Sequence, residues 1–259
     1  LGATHLYGKV VLTGDENPAN DQTPNFNVNV TQGGSNLPIY ATDFESFTAG
    51  GQVACQDPTH WTTWSNAPCG TEDAYISTDF VHSGANAVKD ELANDQVLDF
   101  GNKTTGKYEF SFWMYIPSGH GGYYNVLHNF AGSSSEWGME FFFYDADTAS
   151  LHAGGQIISL PSYNHDTWFK VTNIIDLDND LAEVLLDGVS VHSWQWSLDP
   201  TTGEPGLNQL SASDFFSGTG TTGLTPLYYF DDVEYKEASP VTPPIYANDF
   251  ESFTAGGQV

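Results

Sequence analysis

Arginine is absent from all 259 residues, and lysine supplies only six cations against 33 acidic side chains. The formal net charge is −27 at pH 7 with histidine neutral. Nucleic-acid binding depends on cationic contacts to phosphate, so this balance excludes a nucleic-acid partner. Scarcity of Lys and Arg also removes cleavage sites for trypsin-like proteases, which suits a protein exposed outside the cell. Three causes fit the acidity: a saline habitat, bound divalent cations, or self-repulsion that keeps a crowded surface protein soluble. No run of about 18 apolar residues occurs, so no helix of this segment is expected to span a membrane.

Cysteine is nearly as scarce. Cys55 and Cys69 lie fourteen apart in ACQDPTHWTTWSNAPCG. An even pair in such a Pro/Asn/Gly-rich stretch reads most simply as a local disulfide. The closed loop is worth about 3 kcal/mol in the chain-entropy model and implies an oxidising compartment. A zinc site using His60 is the alternative, but two Cys and one His at this spacing match no common ligand pattern.

What the chain does contain is an internal duplication. Residues 38–53 read PIYATDFESFTAGGQV and residues 244–259 read PIYANDFESFTAGGQV, differing only at Thr42 and Asn248. The expected organisation is a hairpin closing a preceding immunoglobulin-like domain (1–34), one repeat module (38–237), a proline-rich linker (238–244) and the first strand of the next repeat (245–259). A chain that starts at Leu1 and stops inside a repeat is expected to be an excerpt of a longer protein. The hairpin strands are placed around Lys9–Leu12 and Phe26–Val30. Repetition on this scale favours reach, avidity or scaffolding.

Within the module, period-two alternation dominates and no helix of three turns is expected. In YEFSFWMYI (108–116), Tyr108, Phe110, Phe112, Met114 and Ile116 share one face. Segments 137–144, 168–177, 181–188, 189–196 and 227–236 continue the series, separated by Gly and Asx turns. The expectation is an all-β, two-sheet antiparallel jelly-roll sandwich. DLDND (176–180) has the opening spacing of an EF-hand, but Leu181 and Asp187 stand where Gly and Glu are required. A β-turn is the better reading.

Two groups of segments carry a resemblance. WFKVTNIIDLDNDLAEVLLDGVSVHSW resembles the central hairpins of laminin-G-like and concanavalin A-like domains. TDFESFTAGG, VHSGANAVK and YYFDDVEY resemble carbohydrate-binding jelly-roll modules, in which the first and last strands lie side by side. The order of DFESFTAGG, WTTWSNAP, GKYEFSFWMYIPSG, NIIDLDND and YYFDDV is similar to repeats of large surface proteins of gliding or marine Bacteroidetes, exported by type IX secretion. The resemblance implies an extracellular, cell-surface location.

Four kinds of site are candidates. Asp43 and Glu45 share a face if their segment is a strand, and Asp231 shares parity with Tyr229, Val233 and Tyr235. With almost no Lys and no Arg to pair them, Ca²⁺ is the natural partner for such carboxylates. The similar modules hold a structural Ca²⁺ with acids of the first and last strands, which implies Asp43, Glu45, Asp231 and Asp232 here, helped by carbonyls near Ser83 and Gly84. Acceptance of hydrogen bonds from turn amides is the alternative use of these acids.

A glycan platform is the second candidate. The loop HGGYYNVLHNF offers Tyr123, Tyr124, Asn125 and His128, with Trp137 after it and Trp113 and Tyr115 beside it on a concave sheet. Core filling is the commoner fate of such aromatics. Catalysis is the third. MEFFFYDAD has only Glu140 before three aromatics, where laminarinase-type enzymes carry three alternating acids. No nucleophile elbow or HExxH occurs, so the chain is expected not to be an enzyme. Modification is the fourth: Thr148 in Asp-Thr-Ala fits an O-glycan pattern, and Asn29 and Asn102 lie in formal sequons.

The function expected is a non-catalytic structural or adhesive repeat of a secreted surface protein. Calcium and a disulfide would stiffen it, and its partners would be neighbouring repeats, glycans or other surface proteins. A carbohydrate-binding module is the alternative. Strand exchange through residues 244–259 is a third arrangement, disfavoured by the proline-rich linker.

Overall fold

The computed structural model describes residues 4–6, 26–28, 37–160, 162–217 and 226–238. The chain divides into two units, Leu37–Ala238 and the flanking Leu1–Asn36 with Ser239–Val259. In the flanking unit, β1 (Thr4–Leu6) pairs antiparallel with β2 (Phe26–Val28). The hairpin thus uses Thr4–Leu6 for its first strand. Lys9–Leu12, the linker after Ala238 and the second copy of the repeat lie outside the described residues.

The larger unit runs β3 (Tyr40–Thr42), a four-residue helix α1 (Val53–Gln56), β4 (Trp61–Thr63), β5 (Tyr75–Ser77) and β6 (Ala87–Glu91). Then come β7 (Asp95–Lys103), β8 (Lys107–Tyr115), β9 (Gly122–Asn129), β10 (Glu136–Phe143), β11 (Ala149–Ala153) and β12 (Gln156–Leu160). The chain closes with β13 (Phe169–Asp176), β14 (Leu181–Leu186), β15 (Val189–Gln195), β16 (Leu210–Phe216) and β17 (Leu227–Glu237). One sheet has the order β12-β11-β10-β9-β16-β7-β4, the other β15-β14-β13-β8-β17-β6-β5 with β3 added on β17. Two antiparallel sheets face each other, as the alternation demands. The expected jelly-roll sandwich is the fold.

The core lies between them. Phe110, Phe112, Met114 and Ile116 point inward from β8 and the turn after it, and Tyr124, Phe141, Phe143 and Phe215 answer from the opposite sheet. Phe215 and Phe230 stack across the layers at 4.1 Å and 12°. The Asp-rich segment 176–180 is a turn between β13 and β14, paired from Asp176↔Leu181. First and last strands do lie side by side, with Thr42 opposite Val233.

Two details depart from the alternation rule. The segment after Thr42 is a turn, in which Phe44 takes φ 56 and drops fully into the core. In β17 a bulge falls between Asp231 and Glu234, and Asp232 takes φ 47. A bulge inserts a residue and inverts the parity beyond it. Tyr228 and Phe230 therefore face the core before it, and Val233 and Tyr235 after it. Asp231 is buried on the other face of the sheet, opposite Trp113, not among the core side chains.

Cys55 and Cys69 form the disulfide, with Cα atoms 4.7 Å apart. Buried Asp73 organises it by accepting from the amides of Ala54, Cys55 and Cys69 at 2.8–2.9 Å.

Candidate active site

The segment 120–130, read as a loop, is the central strand β9 of the seven-stranded sheet. Its alternation sends Tyr123, Asn125 and Leu127 to the open face and Tyr124 inward, where its hydroxyl donates to Asn173 Oδ1 at 3.0 Å. His128 is buried too, with Nε2 2.7 Å from the Trp196 carbonyl oxygen. Trp113 belongs to the other sheet. Its ring stacks on His82 at 3.9 Å and borders a separate hollow with Asp43 and Lys170. Of the proposed glycan platform, then, only Tyr123, Asn125 and Trp137 share a surface, and Tyr124, His128 and Trp113 serve elsewhere.

That surface is a cleft of about 360 Å³ lined by Asp95, Tyr123, Asn125, Glu140, Asp214 and aromatic rings. Strand register explains its layout. One row crosses the sheet as His152, Glu140, Asn125, Asp214 and Val97 on five adjacent strands. On one side of it Phe142 lies opposite Tyr123, and Phe216 opposite Asp95. On the other, Trp137, Leu127 and Ala212 form an apolar row packed with Trp64 and Phe130. The Trp64 and Trp137 rings stack at 5.7 Å and 28°.

The polar row is internally bonded. Asn125 Nδ2 donates to Asp214 Oδ2 at 2.7 Å and to the Tyr123 hydroxyl at 3.2 Å. Tyr123 in turn donates to Glu140 Oε1 at 2.9 Å, and His152 Nδ1 stands 4.0 Å from Glu140 Oε2. Burial, then the charge of Glu140, pushes the Tyr123 hydroxyl far above its ordinary range, so it remains a donor.

Asp95 and Asp214 stand on neighbouring strands one step apart in register, Asp95 opposite Phe216 and Asp214 opposite Val97. Asp95 is pushed up to about 10 by burial and then by the charge of Asp214. Asp214, only 3% exposed, is pushed up to about 7 by burial. Asp95 Oδ1 and Asp214 Oδ1 are buried with no hydrogen-bond partner, so burial favours the protonated form of each. Fully buried Asp90 is raised as well, by burial above all, and its charge acts on Asp214. The arrangement can hold and release a proton beside Glu140, a second carboxyl on the same face.

None of this was visible in spacing, because Asp95, Glu140 and Asp214 come from three strands far apart in sequence. The signal present was Asp95 and Asp99 on the alternating face of DQVLDF and Asp214 on that of SASDFF, two segments not read as strands. Asp145 and Asp147 do fall in the turn after β10, and Thr148 is exposed beside them. Asn102 is exposed at the end of β7, and Asn29 lies outside the described residues.

The acids expected to hold calcium gather around the segment 82–86. Asp231 Oδ2 accepts from the amides of His82 and Ser83 at 2.9 and 3.1 Å, and its Oδ1 from Asp232 N at 2.7 Å. Asp232 accepts from Ser83 Oγ and lies 2.6 Å from His82 Nδ1. Glu45 Oε1 takes the amides of Ala85 and Asn86, and its carboxyl fills the space where a Cβ on Gly84 would stand. Asp43 accepts from Glu45 N. Among the described residues no three His, Cys, Asp or Glu side chains form a group that could hold a metal ion.

No family model and no curated protein matches the sequence. Solved structures do match. An alginate lyase, A1-II′ of polysaccharide lyase family 7, is similar at TM-score 0.51 and 9% identity, over 72% of this chain and 98% of the lyase. A sialidase is similar at TM-score 0.49 and 11% identity, over 73% of this chain but only 18% of the sialidase. The Trypanosoma rangeli sialidase is similar at TM-score 0.45 and 9% identity, over 70% of this chain and 30% of its own. The lyase likeness shows the fold. These findings also correct two expectations, the non-catalytic structural or adhesive repeat and the absence of enzyme activity. The lyase is an enzyme, and the open face of the sheet bears buried carboxyls in a cleft rather than a plain spacer surface.

Proposed function

We propose that the domain is a carbohydrate-active enzyme that cleaves glycosidic bonds in a chain lying along the cleft of the seven-stranded sheet. One observation carries this reading: buried Asp214, one register step from Asp95, stands in the same row as Glu140, between aromatic surfaces. Glycoside hydrolysis needs one carboxyl that retains a proton to give the leaving oxygen and a second to activate water or attack. The Asp95–Asp214 pair supplies the first. Glu140, oriented by Tyr123, supplies the second. Their strands are separated by β9, so the two backbones stand roughly 10 Å apart, with room for a sugar and an attacking water. Trp64, Trp137, Phe142 and Phe216 offer apolar faces on which sugar rings stack.

The domain is inferred to work outside the cell. The Cys55–Cys69 disulfide, the shortage of trypsin-type cleavage sites and the motif resemblance to type IX-exported surface proteins support that location. The duplicated segment 244–259 supports a second copy of the module following this one.

Release of reducing ends from a panel of polysaccharides tests the proposal. Wild-type protein is expected to shorten at least one polymer, and Asp214→Asn to lower the rate by about 100-fold or more while keeping the melting temperature or raising it. Equal rates for wild type and Asp214→Asn would refute the assignment.

A further inference from the structure

The cleft holds acceptors without a donor, Asn125 Oδ1 among them, and no lysine lines it. Asn125 is 1% exposed, and with its nitrogen committed to Asp214 and Tyr123, its Oδ1 has no protein partner. Glu140 and Asp214 add further acceptor oxygens. The described lysines stand elsewhere. Lys89, Lys107, Lys170 and Lys236 belong to the other sheet. Lys103 ends β7, eight residues from Asp95, which is roughly 26 Å along an extended strand. Lys9 lies outside the described residues, and arginine does not occur.

From this we infer that the substrate is a neutral polysaccharide, recognised through hydroxyl groups, and that polyuronates and sulfated glycans are rejected. This rests on the cleft being the carbohydrate site proposed above. A neutral sugar brings hydroxyl hydrogens to Asn125 Oδ1 and Glu140 and lays its apolar ring face on Trp137. A uronate or sulfate brings a charge that meets Asp214 and Glu140 with no lysine or arginine in the lining to offset it, inside a molecule already carrying −27.

Affinity electrophoresis of the full chain tests this in native gels containing neutral β-glucan, xylan or mannan, against alginate or polygalacturonate, at low and high salt. The expected result is retardation by at least one neutral polymer, insensitive to salt and lost in Trp137→Ala. Affinity for the polyuronates should be at least about ten-fold weaker and should improve as salt screens the repulsion. Retardation by a polyuronate equal to or stronger than by any neutral polymer overturns the inference while leaving a carbohydrate site standing. Retardation by none of them, or retardation unchanged in Trp137→Ala, overturns the inference together with the placement of the site.

Discussion

Asn125 donates one side-chain nitrogen to both Asp214, at 2.7 Å, and Tyr123, at 3.2 Å, tying three residues of two neighbouring strands into one polar row. The bond to Asp214 favours the ionised form of a carboxyl that burial pushes the other way. Replacing Asn125 with Ala removes that donor, so the Asp214 pKa should climb further. The limb of the pH–rate profile set by Asp214 should move to higher pH, and the rate should drop roughly ten-fold as Tyr123 and Glu140 lose their alignment. A profile that keeps its shape and position would argue against any role for this bond.

Thermal stability should fall as pH rises. Asp214 and Asp95 move from 3.8 to about 7 and about 10 on folding. A carboxyl whose folded pKa exceeds its unfolded value contributes fully below the unfolded value and loses that contribution as pH climbs through the folded one. Buried Asp90 acts with the same sign. Asp166, Asp176 and Asp199 are held below 3.8 near the surface and act oppositely, only as the pH drops below about 4. Calorimetry across pH 4 to 9 should therefore show the highest Tm at the acid end, and Asp95→Asn with Asp214→Asn should flatten the decline.

The Cys55–Cys69 bond ties α1 to the loop after β4, and its amides converge on Asp73. Reduction, or Cys55→Ala with Cys69→Ala, should cost about 3 kcal/mol, or roughly 6–12 °C in Tm for a domain of this size. A melting curve unaffected by dithiothreitol would contradict this.

Gly138 links the core to the cleft. A Cβ there would overlap the Trp196 ring and come 2.8 Å from His128, beside the bulge that turns Trp137 outward. Gly138→Ala should destabilise by about 1–3 kcal/mol. It should also weaken glycan retention by displacing Trp137, which denaturant melts and gel retardation would read separately.

The corner around Asp231 satisfies its carboxylates with amides, hydroxyls and His82. Calcium and EDTA should accordingly give the same Tm. A rise of several degrees with calcium would mean that these carboxylates rearrange around the ion.

Much of the sandwich is legible in local pattern. Tyr108, Phe110, Phe112 and Met114 alternate because one face of β8 is buried, and a period of two requires no knowledge of partners. The Cys pair and the turn at 176–180 are equally local. Legibility ends where one residue changes parity, as at the bulge of Asp231 and Asp232, or where Phe44 enters the core from a turn. A hydrophobicity count cannot register either event.

Sequence alone determined the all-β character, the disulfide and the anionic surface, since each follows from residue type, short spacing or simple charge. The tertiary structure alone decided the site. Strand pairing put Glu140, Asn125 and Asp214 in one row from three separate segments, and burial raised Asp95 and Asp214 above the ordinary carboxylate range. Register and desolvation belong to the assembled sheet, so neither is written into any stretch of the chain taken by itself.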